Sequence, residues 1–288
     1  MKRIITILTI SAFTVAVYGQ VSTGLMPARA PLTTLDQASI RCYYQFVQKD
    51  KAGLLQIDTM TLDIGAKMSE YYNIIGKKQG ASLGTGTTHI SRDNIRNISI
   101  RTNLDTFDDL NLGATPFTNN GRKKESAQLL KNRQTGEITI IDALGLEKYK
   151  FTETIQPQAW QITADTATIL GYLCQKATAT FRGRSYEAWF SPELPVNDGP
   201  WKFFGLPGLI LKVTDTENIF LFVCVGIENL NPPQDITIEQ IRFINSTRDD
   251  MAKIKLKQHG ETGFFMNGGE LVLVALKAKD DYNLLELE

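Results

Sequence analysis

The chain is poor in the residues that build metal sites and disulfides. Its 288 residues include only three cysteines and two histidines. The two histidines have no cysteine or carboxylate at the spacing of zinc ligands, so the sequence predicts no metal site and no cofactor. Three cysteines allow one disulfide and one free thiol. The favoured interpretation is that all three are buried thiols that behave as small apolar groups.

An excess of charge and a membrane-spanning run are also absent. The chain has 31 basic and 31 acidic residues, so it has no basic field that would attract nucleic acid or an anionic membrane. After the N-terminal segment, no apolar run approaches the ~20 residues that a membrane helix needs. The sequence therefore predicts no nucleic-acid partner and no transmembrane segment in the mature chain.

Residues 1–19 have the organisation of a secretory signal peptide. Two basic residues precede the apolar stretch 4–17, and the small residue Gly19 follows it. This pattern is typical of a cleaved export signal and is too short for a membrane anchor. We expect cleavage after Gly19, which leaves residues 20–288 as a single β-rich domain in the periplasm, at the cell surface or outside the cell.

Alternating residue types predict a protein made mainly of β-strands. In the segment 40–46, every second residue is apolar or aromatic and the residues between are more polar, as in a half-buried strand. Similar patterns predict hairpins at 59–74 and 126–141 and a four-strand antiparallel meander within 171–228. The predicted fold is a β-dominated α+β domain with a large, curved antiparallel sheet or half-barrel.

Two stretches near the C-terminus predict helices. Thr237 and Gln240 fit a capping box, and isoleucines follow at helical spacing as far as residue 244. Ser246 and Thr247, which two aspartates follow, predict the start of a second helical segment. We therefore expect one or two C-terminal helices.

The predicted meander limits how the cysteines can pair. Cys174 and Cys224 fall on its first and fourth strands, which lie about 14 Å apart. A disulfide requires Cα atoms about 4.4–6.8 Å apart, so these two cannot bond unless the sheet closes. Cys42 remains an alternative partner for either of them.

One motif suggests catalysis. The sequence GASLG places Ser82 in the G-x-S-x-G pattern of the α/β-hydrolase nucleophile. That pattern requires a strand before the serine and a helix directly after it, whereas TGTTH follows here and is a poor helix start. We therefore favour a noncatalytic protein, and a secreted hydrolase that uses Ser82 is the alternative.

An aromatic cluster is the strongest candidate for a binding site. It contains Trp189, Trp201, Phe203 and Phe204, including two of the three tryptophans of the chain. Exposed aromatic side chains could form a platform for a small ligand or a protein partner. The structural alternative is a small core that pins a long loop to the sheet.

A turn motif follows the cluster directly. Gly205, Leu206, Pro207 and Gly208 lead into the aliphatic run LILKV. Pro207 and Gly208 suit the two central positions of a type II turn, because proline presets φ near −65° and glycine tolerates positive φ. The motif is predicted to be structural and to start a strand at Leu209.

The residues around this turn resemble the GLPGLI family. The segment FFGLPGLILKV contains the six letters that name the family. Upstream, ILGYLCQKA, EAWF and LPVNDGP resemble the family patterns I-x-G-Y-x-C-x-K-A, A-W-[FY] and L-P-x-x-x-G-P. DTMTLDIGAKMSEYY near the N-terminus and NLLELE at the C-terminus also look like family segments. The resemblance implies an exported, β-rich protein of the Bacteroidetes, and the family carries no catalytic residues that can be transferred.

These observations favour an exported envelope protein without catalytic activity. The expected partner is an unidentified small ligand, such as a lipid or a peptide, or another envelope protein. The alternatives are the hydrolase that uses Ser82 and a structural subunit of a complex associated with the outer membrane.

Overall fold

Strands dominate the computed structural model, which describes residues 30–51, 53, 55–73, 127–144, 147–260, 263–267, 270–274 and 285–287. The predicted signal peptide lies outside the described residues. In the described part of the chain there are fourteen strands and one helix. They are β1 (Leu32–Lys49), β2 (Leu55–Gly65), β3 (Met68–Asn73), β4 (Gln128–Asn132), β5 (Glu137–Leu144), β6 (Glu147–Thr154), β7 (Gln161–Ile169), β8 (Tyr172–Phe181), β9 (Arg184–Ser191), β10 (Leu209–Asp215), β11 (Phe220–Glu239), β12 (Ile244–Asn245), α1 (Arg248–Gly260), β13 (Gly263–Asn267) and β14 (Glu270–Val274).

Twelve of these strands form one sheet. Its order is β12-β6-β5-β4-β3-β2-β1-β11-β10-β9-β8-β7, and β13 and β14 form a separate hairpin. Neighbouring strands pair antiparallel, except for β12, which runs parallel to β6. The predicted meander appears as the neighbours β8, β9, β10 and β11. The β-dominated fold with a large antiparallel sheet is thus confirmed.

The sheet is strongly curved, because a short connection joins its two ends. β6 is the second strand of the sheet and β7 is the twelfth, so ten spacings of about 4.8 Å would separate them by about 48 Å in a flat sheet. Only residues 155–160 connect these strands, and an extended chain of that length spans at most about 25 Å. The ends of the sheet must therefore approach each other. Arg182, in the β8–β9 turn, donates to Glu153 of β6 at 2.8 Å across this gap.

The main apolar core lies on one face of the curled sheet. Cys42 and Tyr44 of β1 are fully buried there, and residues from β2 to β5 and from β8 to β11 join them. Residues 192–208, named here the aromatic loop, add Trp201, Phe203 and Leu206 to the same core. The Tyr44 hydroxyl donates to the Ile210 carbonyl oxygen at 2.7 Å, which satisfies a polar group deep inside it.

The central strand β11 is buried on both faces over its first part. Phe220, Phe222 and Cys224 belong to the main core, while Leu221 and Val223 belong to a second apolar cluster. Continuous burial of this kind matches the nearly uninterrupted apolar run in the sequence, because alternate side chains of a strand point to opposite faces.

One of the two predicted helices is wrong. Thr237 lies within β11, where it pairs with Thr34 of β1, and the fully buried Ile236 anchors this stretch to a third apolar cluster. Pairing along the length of β1 outweighs the local helical pattern, since intrinsic propensity is a weak signal beside tertiary contacts. The second prediction is confirmed: α1 begins after Thr247, whose hydroxyl accepts a hydrogen bond from the Asp250 amide at 3.2 Å.

The three cysteines are free, buried thiols. Cys174 on β8 and Cys224 on β11 are separated by two intervening strands, as the meander predicts. Cys42 lies on β1 beside β11. Contact with the Cys224 side chain, followed by burial, raises the pKa of the Cys42 thiol, so the neutral form is favoured.

Candidate functional site

The aromatic loop holds three of the four aromatic residues that the sequence nominates, and they are not equally accessible. Phe203 is fully buried, and its ring packs against those of Tyr186 (4.8 Å between centroids) and Trp201 (5.2 Å). Trp201 is itself only 8% exposed. Phe204 and, on β9, Trp189 are half-buried. Much of the cluster therefore serves as core, and the binding role stays a prediction for the side chains that border a cavity.

Close approach explains the glycines of the turn that ends the loop. A Cβ on Gly208 would lie 2.1 Å from the Ser191 carbonyl oxygen, and one on Gly205 would lie 2.6 Å from the Pro157 Cβ. Gly205 also has a φ of 100°, which favours glycine. The Gly208 amide donates to the Leu206 carbonyl oxygen at 2.8 Å. This bond spans two residues, so the turn is centred on Pro207 as a γ-turn and is not the predicted type II turn.

Two cavities border the aromatic loop. The first, named here the polar cleft, has a volume of about 230 Å³. It is lined mainly by residues 131–136 at the β4–β5 turn, by residues 155–157, and by Asn197, Asp198 and Phe204 of the aromatic loop. Amide, guanidinium, carboxylate and hydroxyl groups therefore surround a space that also has one aromatic wall.

Asp198 organises the floor of the polar cleft. Its Oδ1 atom accepts a hydrogen bond from the Gly199 amide at 2.8 Å and forms an ion pair with Lys131, whose ammonium also donates to the Gly199 carbonyl oxygen at 2.7 Å. Both charged side chains are almost completely buried. Burial lowers the pKa of Lys131, and the charge of Asp198 opposes that shift.

Two buried atoms in the polar cleft lack hydrogen-bond partners. Arg133 Nε lies 3.6 Å from Asp198 Oδ2, which is too long for a hydrogen bond. Among the described residues, neither of these buried atoms has any other hydrogen-bond partner. Arg133 and Asp198 thus form a loose ion pair beside the polar cleft, and its facing donor and acceptor atoms are closed to solvent. A group that both donates and accepts could bridge them.

The second cavity, named here the apolar cavity, has a volume of about 130 Å³. It lies between the sheet, α1 and the chain near residues 285–286, and it also borders Trp201. Most of its described lining is apolar, and the charged residues that line it are Lys202, Arg248, Lys255 and Glu286.

Two of these four charged residues, Lys202 and Lys255, form ion pairs with strand or C-terminal residues. Lys202 pairs with Glu153 of β6 and, at 2.5 Å, with Glu286. Lys255 of α1 pairs with Asp142 of β5 at 2.9 Å. These pairs fasten α1 and the residues near the C-terminus to the sheet, and they hold the walls of the apolar cavity in place.

Arg248 differs from the other cations of the apolar cavity. The carboxylate of Asp249 lies 3.6 Å from Arg248 Nε, and the Asp249 side chain is 74% exposed. The Nη1 atom of Arg248 is buried and makes no hydrogen bond within the described part of the chain.

The catalytic role predicted for Ser82 stays a prediction, because the residues that would test it are not described. Ser82 and His89 lie outside the described residues, and so does the side chain of His259. Across the described ranges, no group of three or more His, Cys, Asp or Glu side chains could hold a metal ion. In those same ranges, no helix has the length and apolar character to cross a membrane.

Sequence reasoning missed the charged residues of the polar cleft. Lys131 and Arg133 lie in a hairpin that the sequence predicts, and Asp198 lies in the loop that it singles out. Nothing in the pattern shows that these segments meet, because 67 residues separate Lys131 from Asp198. The local sequence shows only that Asp198 stands between Asn197 and Gly199 in a proline-rich loop.

Comparisons with known proteins add one partial match. Residues 120–249 match the model of the family described as N-glycanase peptide, N-terminal domain, which is less than half of the chain. Two crystal structures of PNGF-II, in space groups C2 and P21, are similar to this chain with a TM-score of 0.49 and 14% identity. Each similarity covers 80% of this chain and 35% of the PNGF-II chain. The curated proteins include no match.

Proposed function

We propose that this protein is an exported, noncatalytic carbohydrate-binding protein and that the polar cleft holds a sugar ring. The observation that carries the proposal is the gap between Arg133 Nε and Asp198 Oδ2, which are 3.6 Å apart and lack hydrogen-bond partners within the described chain. A buried polar atom without a partner costs about 1–3 kcal/mol. Both atoms are closed to solvent, so the Arg133 side chain has to rotate slightly before a sugar hydroxyl accepts from the arginine and donates to the carboxylate.

The rest of the cleft suits the same ligand class. Gln134, Gln156 and Asn197 also line the cleft, and their amide groups can hydrogen-bond further hydroxyls. Asn197 offers its NH₂ group, because its Oδ1 atom already accepts from the Gly205 amide at 2.6 Å. Phe204 supplies an apolar surface for the C–H face of a sugar ring, as aromatic side chains do in small-molecule sites. An arrangement of one apolar wall and several polar groups matches a ring that is itself apolar on its faces and polar at its edges.

Preorganisation favours binding at this site. Pro192, Pro195, Pro200 and Pro207 stiffen the aromatic loop, and the buried bonds of Asp198 hold its position. Rigid side chains lose little conformational entropy when a ligand binds. Each hydrogen bond to a polar ligand contributes only modestly to affinity in water. A low entropy cost therefore matters most for small polar ligands.

The family match supports a glycan as the ligand. All the described residues that line the polar cleft fall within the matched segment 120–249. The matched model is described as N-glycanase peptide, N-terminal domain, and that description points to N-linked glycans. We infer that this chain recognises such glycans without cleaving them.

The location of the protein is part of the same proposal. The signal-peptide pattern of residues 1–19 supports export to the periplasm or the cell surface, where glycans of other organisms or of the cell envelope are accessible. The GLPG motif and its flanks support membership in the GLPGLI family. A hydrolase that uses Ser82 remains the alternative.

Direct titration tests the proposal. The purified protein is titrated with oligosaccharides released from N-glycoproteins, with calorimetry and ligand-observed NMR as readouts. We expect saturable binding that weakens at least about tenfold in Arg133→Gln and in Phe204→Ala, because each removes a contact of about 1.5 kcal/mol or more. Phe151→Ala removes an aromatic side chain from the apolar cavity and serves as the matched control with unchanged glycan affinity.

Two outcomes would contradict parts of this proposal. If no oligosaccharide shows saturable binding to the folded wild-type protein, the carbohydrate proposal is wrong. If binding occurs but Arg133→Gln and Phe204→Ala bind as the wild type does, the polar cleft is not the site. Thermal unfolding of each variant checks that a loss of binding does not reflect a loss of fold.

A further inference from the structure

We propose that the apolar cavity binds a small amphipathic carboxylate, with its hydrocarbon part between the sheet and α1 and its carboxylate on Arg248. This site is separate from the polar cleft and does not depend on the proposed carbohydrate binding. The two cavities share no lining residue among those described.

The lining of the apolar cavity defines the hydrocarbon part of the ligand. Sheet side chains that include Met60, Leu129 and Phe222 form one wall, and Met251 and Ala252 of α1 face them. Met251 is only 4% exposed, so the helix presents an apolar surface to this space. An apolar group leaves water on entering such a site, and that transfer favours binding.

The volume of the cavity limits the size of this group. At about 130 Å³, the space is close to the engineered ~150 Å³ cavity that binds benzene in another protein. A single aromatic ring or a chain of roughly six carbons is therefore the expected size.

Arg248 defines the charge of the ligand. The Arg248 side chain lines the cavity and is 27% exposed, while its Nη1 atom is closed to solvent and has no hydrogen-bond partner among the described residues. The adjacent Asp249 carboxylate is mostly exposed and so is largely screened by water. A guanidinium group binds a carboxylate through two parallel hydrogen bonds, and a small rotation of the Arg248 side chain brings its Nη1 atom to a ligand carboxylate in the cavity.

The other two cations that line the cavity already have carboxylate partners, so Arg248 is the one we expect to bind the ligand carboxylate. Lys202 and Lys255 already form ion pairs with Glu153 and Asp142, respectively. The only described carboxylate that lines the cavity, that of Glu286, is paired with Lys202. The cavity therefore offers one incompletely satisfied cation and favours an anion over a neutral or a cationic head group.

Titration of the purified full chain with hexanoate and phenylacetate tests this inference. Hexanamide and hexylamine have the same chain without the negative charge and serve as ligand controls. We expect saturable binding of the two carboxylates to the wild-type protein, weaker binding of hexanamide and none of hexylamine. In Arg248→Met, hexanoate affinity should fall at least about tenfold while hexanamide affinity stays unchanged, because only the charge-assisted bonds are lost.

Two further variants separate the site from the rest of the molecule. Lys253→Met removes a mostly exposed cation from the same helix, and it should leave hexanoate binding within about twofold because exposed charges contribute little. Met251→Trp should fill the cavity and abolish binding of both hexanoate and hexanamide. Phe204→Ala, which alters the polar cleft, should leave hexanoate binding unchanged.

Several results would overturn the inference. These are the absence of saturable carboxylate binding to wild type, equal losses in Arg248→Met and Lys253→Met, and hexanoate binding that survives Met251→Trp. Loss of hexanoate binding in Phe204→Ala would place the carboxylate in the polar cleft instead. The other outcomes do not bear on glycan binding, so the two proposals fail separately.

Discussion

The polar cleft and the apolar cavity border the same loop but have opposite chemistry. Trp201 lines the apolar cavity, and Phe204, three residues later, lines the polar cleft. Between them the chain reverses: Phe203 donates its amide hydrogen to the Pro200 carbonyl oxygen at 3.1 Å, and Trp201 has a φ of 50°. Such a φ is strained for a large side chain. This local backbone geometry lets one stiff loop serve two cavities.

The two cavities also use charge differently. In the polar cleft the charged pair Lys131–Asp198 is buried in the floor, so the same residues support the fold and shape the site. In the apolar cavity the ion pairs of Lys202 and Lys255 fasten the walls, and Arg248 is the cation left for a ligand. We therefore expect loss of the Lys131–Asp198 pair to cost stability, and substitutions at Arg248 to cost binding alone.

The largest effect is expected for Asp198→Asn. The substitution keeps the shape of the side chain and removes the negative charge that balances the buried ammonium group of Lys131. Breaking a buried ion pair by removing one partner costs about 3–5 kcal/mol. Urea unfolding measures the loss. Glu187→Gln breaks the more exposed pair with Lys176 and should cost less than ~1 kcal/mol. Equal losses in the two variants would show that the Lys131–Asp198 pair is not a structural support.

An intermediate effect is expected for Gly208→Ala, which tests whether the loop supports both cavities. The new Cβ would lie 2.1 Å from the Ser191 carbonyl oxygen, and forcing these atoms apart should cost about 1–3 kcal/mol. Displacement of the loop should weaken both glycan and hexanoate binding, which the two titrations measure.

The matched control for this prediction is Gly171→Ala. Gly171 has a φ of 84°, but a Cβ added there would meet no atom within 4 Å, so only backbone strain of about 1 kcal/mol is expected. Both affinities should stay at their wild-type values. If Gly208→Ala also binds both ligands normally, the two cavities do not depend on a common support.

The smallest effect is expected for Thr247→Ala, which should affect the apolar cavity alone. The Thr247 hydroxyl caps α1 by accepting the Asp250 amide hydrogen bond, and loss of such a cap costs about 1 kcal/mol. Fraying of the first helical turn displaces Arg248, so hexanoate affinity should fall about two- to fivefold. Thr163→Ala, which removes a similar hydroxyl bond to the Asp165 amide on β7, is the control. An equal fall in glycan affinity would contradict the separation of the two cavities.

Much of the secondary structure was predictable, because it depends on local patterns. Alternation over residues 40–46 identifies a strand, and Gly65, the last residue of β2, marks the turn to β3 in the predicted hairpin. The wrong helix prediction at Thr237 also comes from a local pattern. Isoleucines at residues 238, 241 and 244 fit a helical period over a short window, but β1 offers an extended partner that the window does not contain.

The residues of the candidate sites were predictable only in part. The aromatic loop was singled out by its composition, and it does border both cavities. Lys131, Arg133 and Arg248 were not, because a single charged residue in a turn or at a helix start is common and has no distinguishing spacing. Their significance comes from what lies opposite them in the folded chain.

The sequence by itself determined the strand-rich composition, the stiffness of the loop before Gly208 and the leader pattern of residues 1–19. These features depend on side-chain and backbone preferences within a few residues. The tertiary structure decided the curl of the sheet, in which β6 and β7 approach each other from opposite ends. It also decided the meeting of Asp198 with Lys131 and of Arg248 with the sheet. Such contacts join residues far apart in the chain, and only the register of paired strands and the burial of the core bring them together.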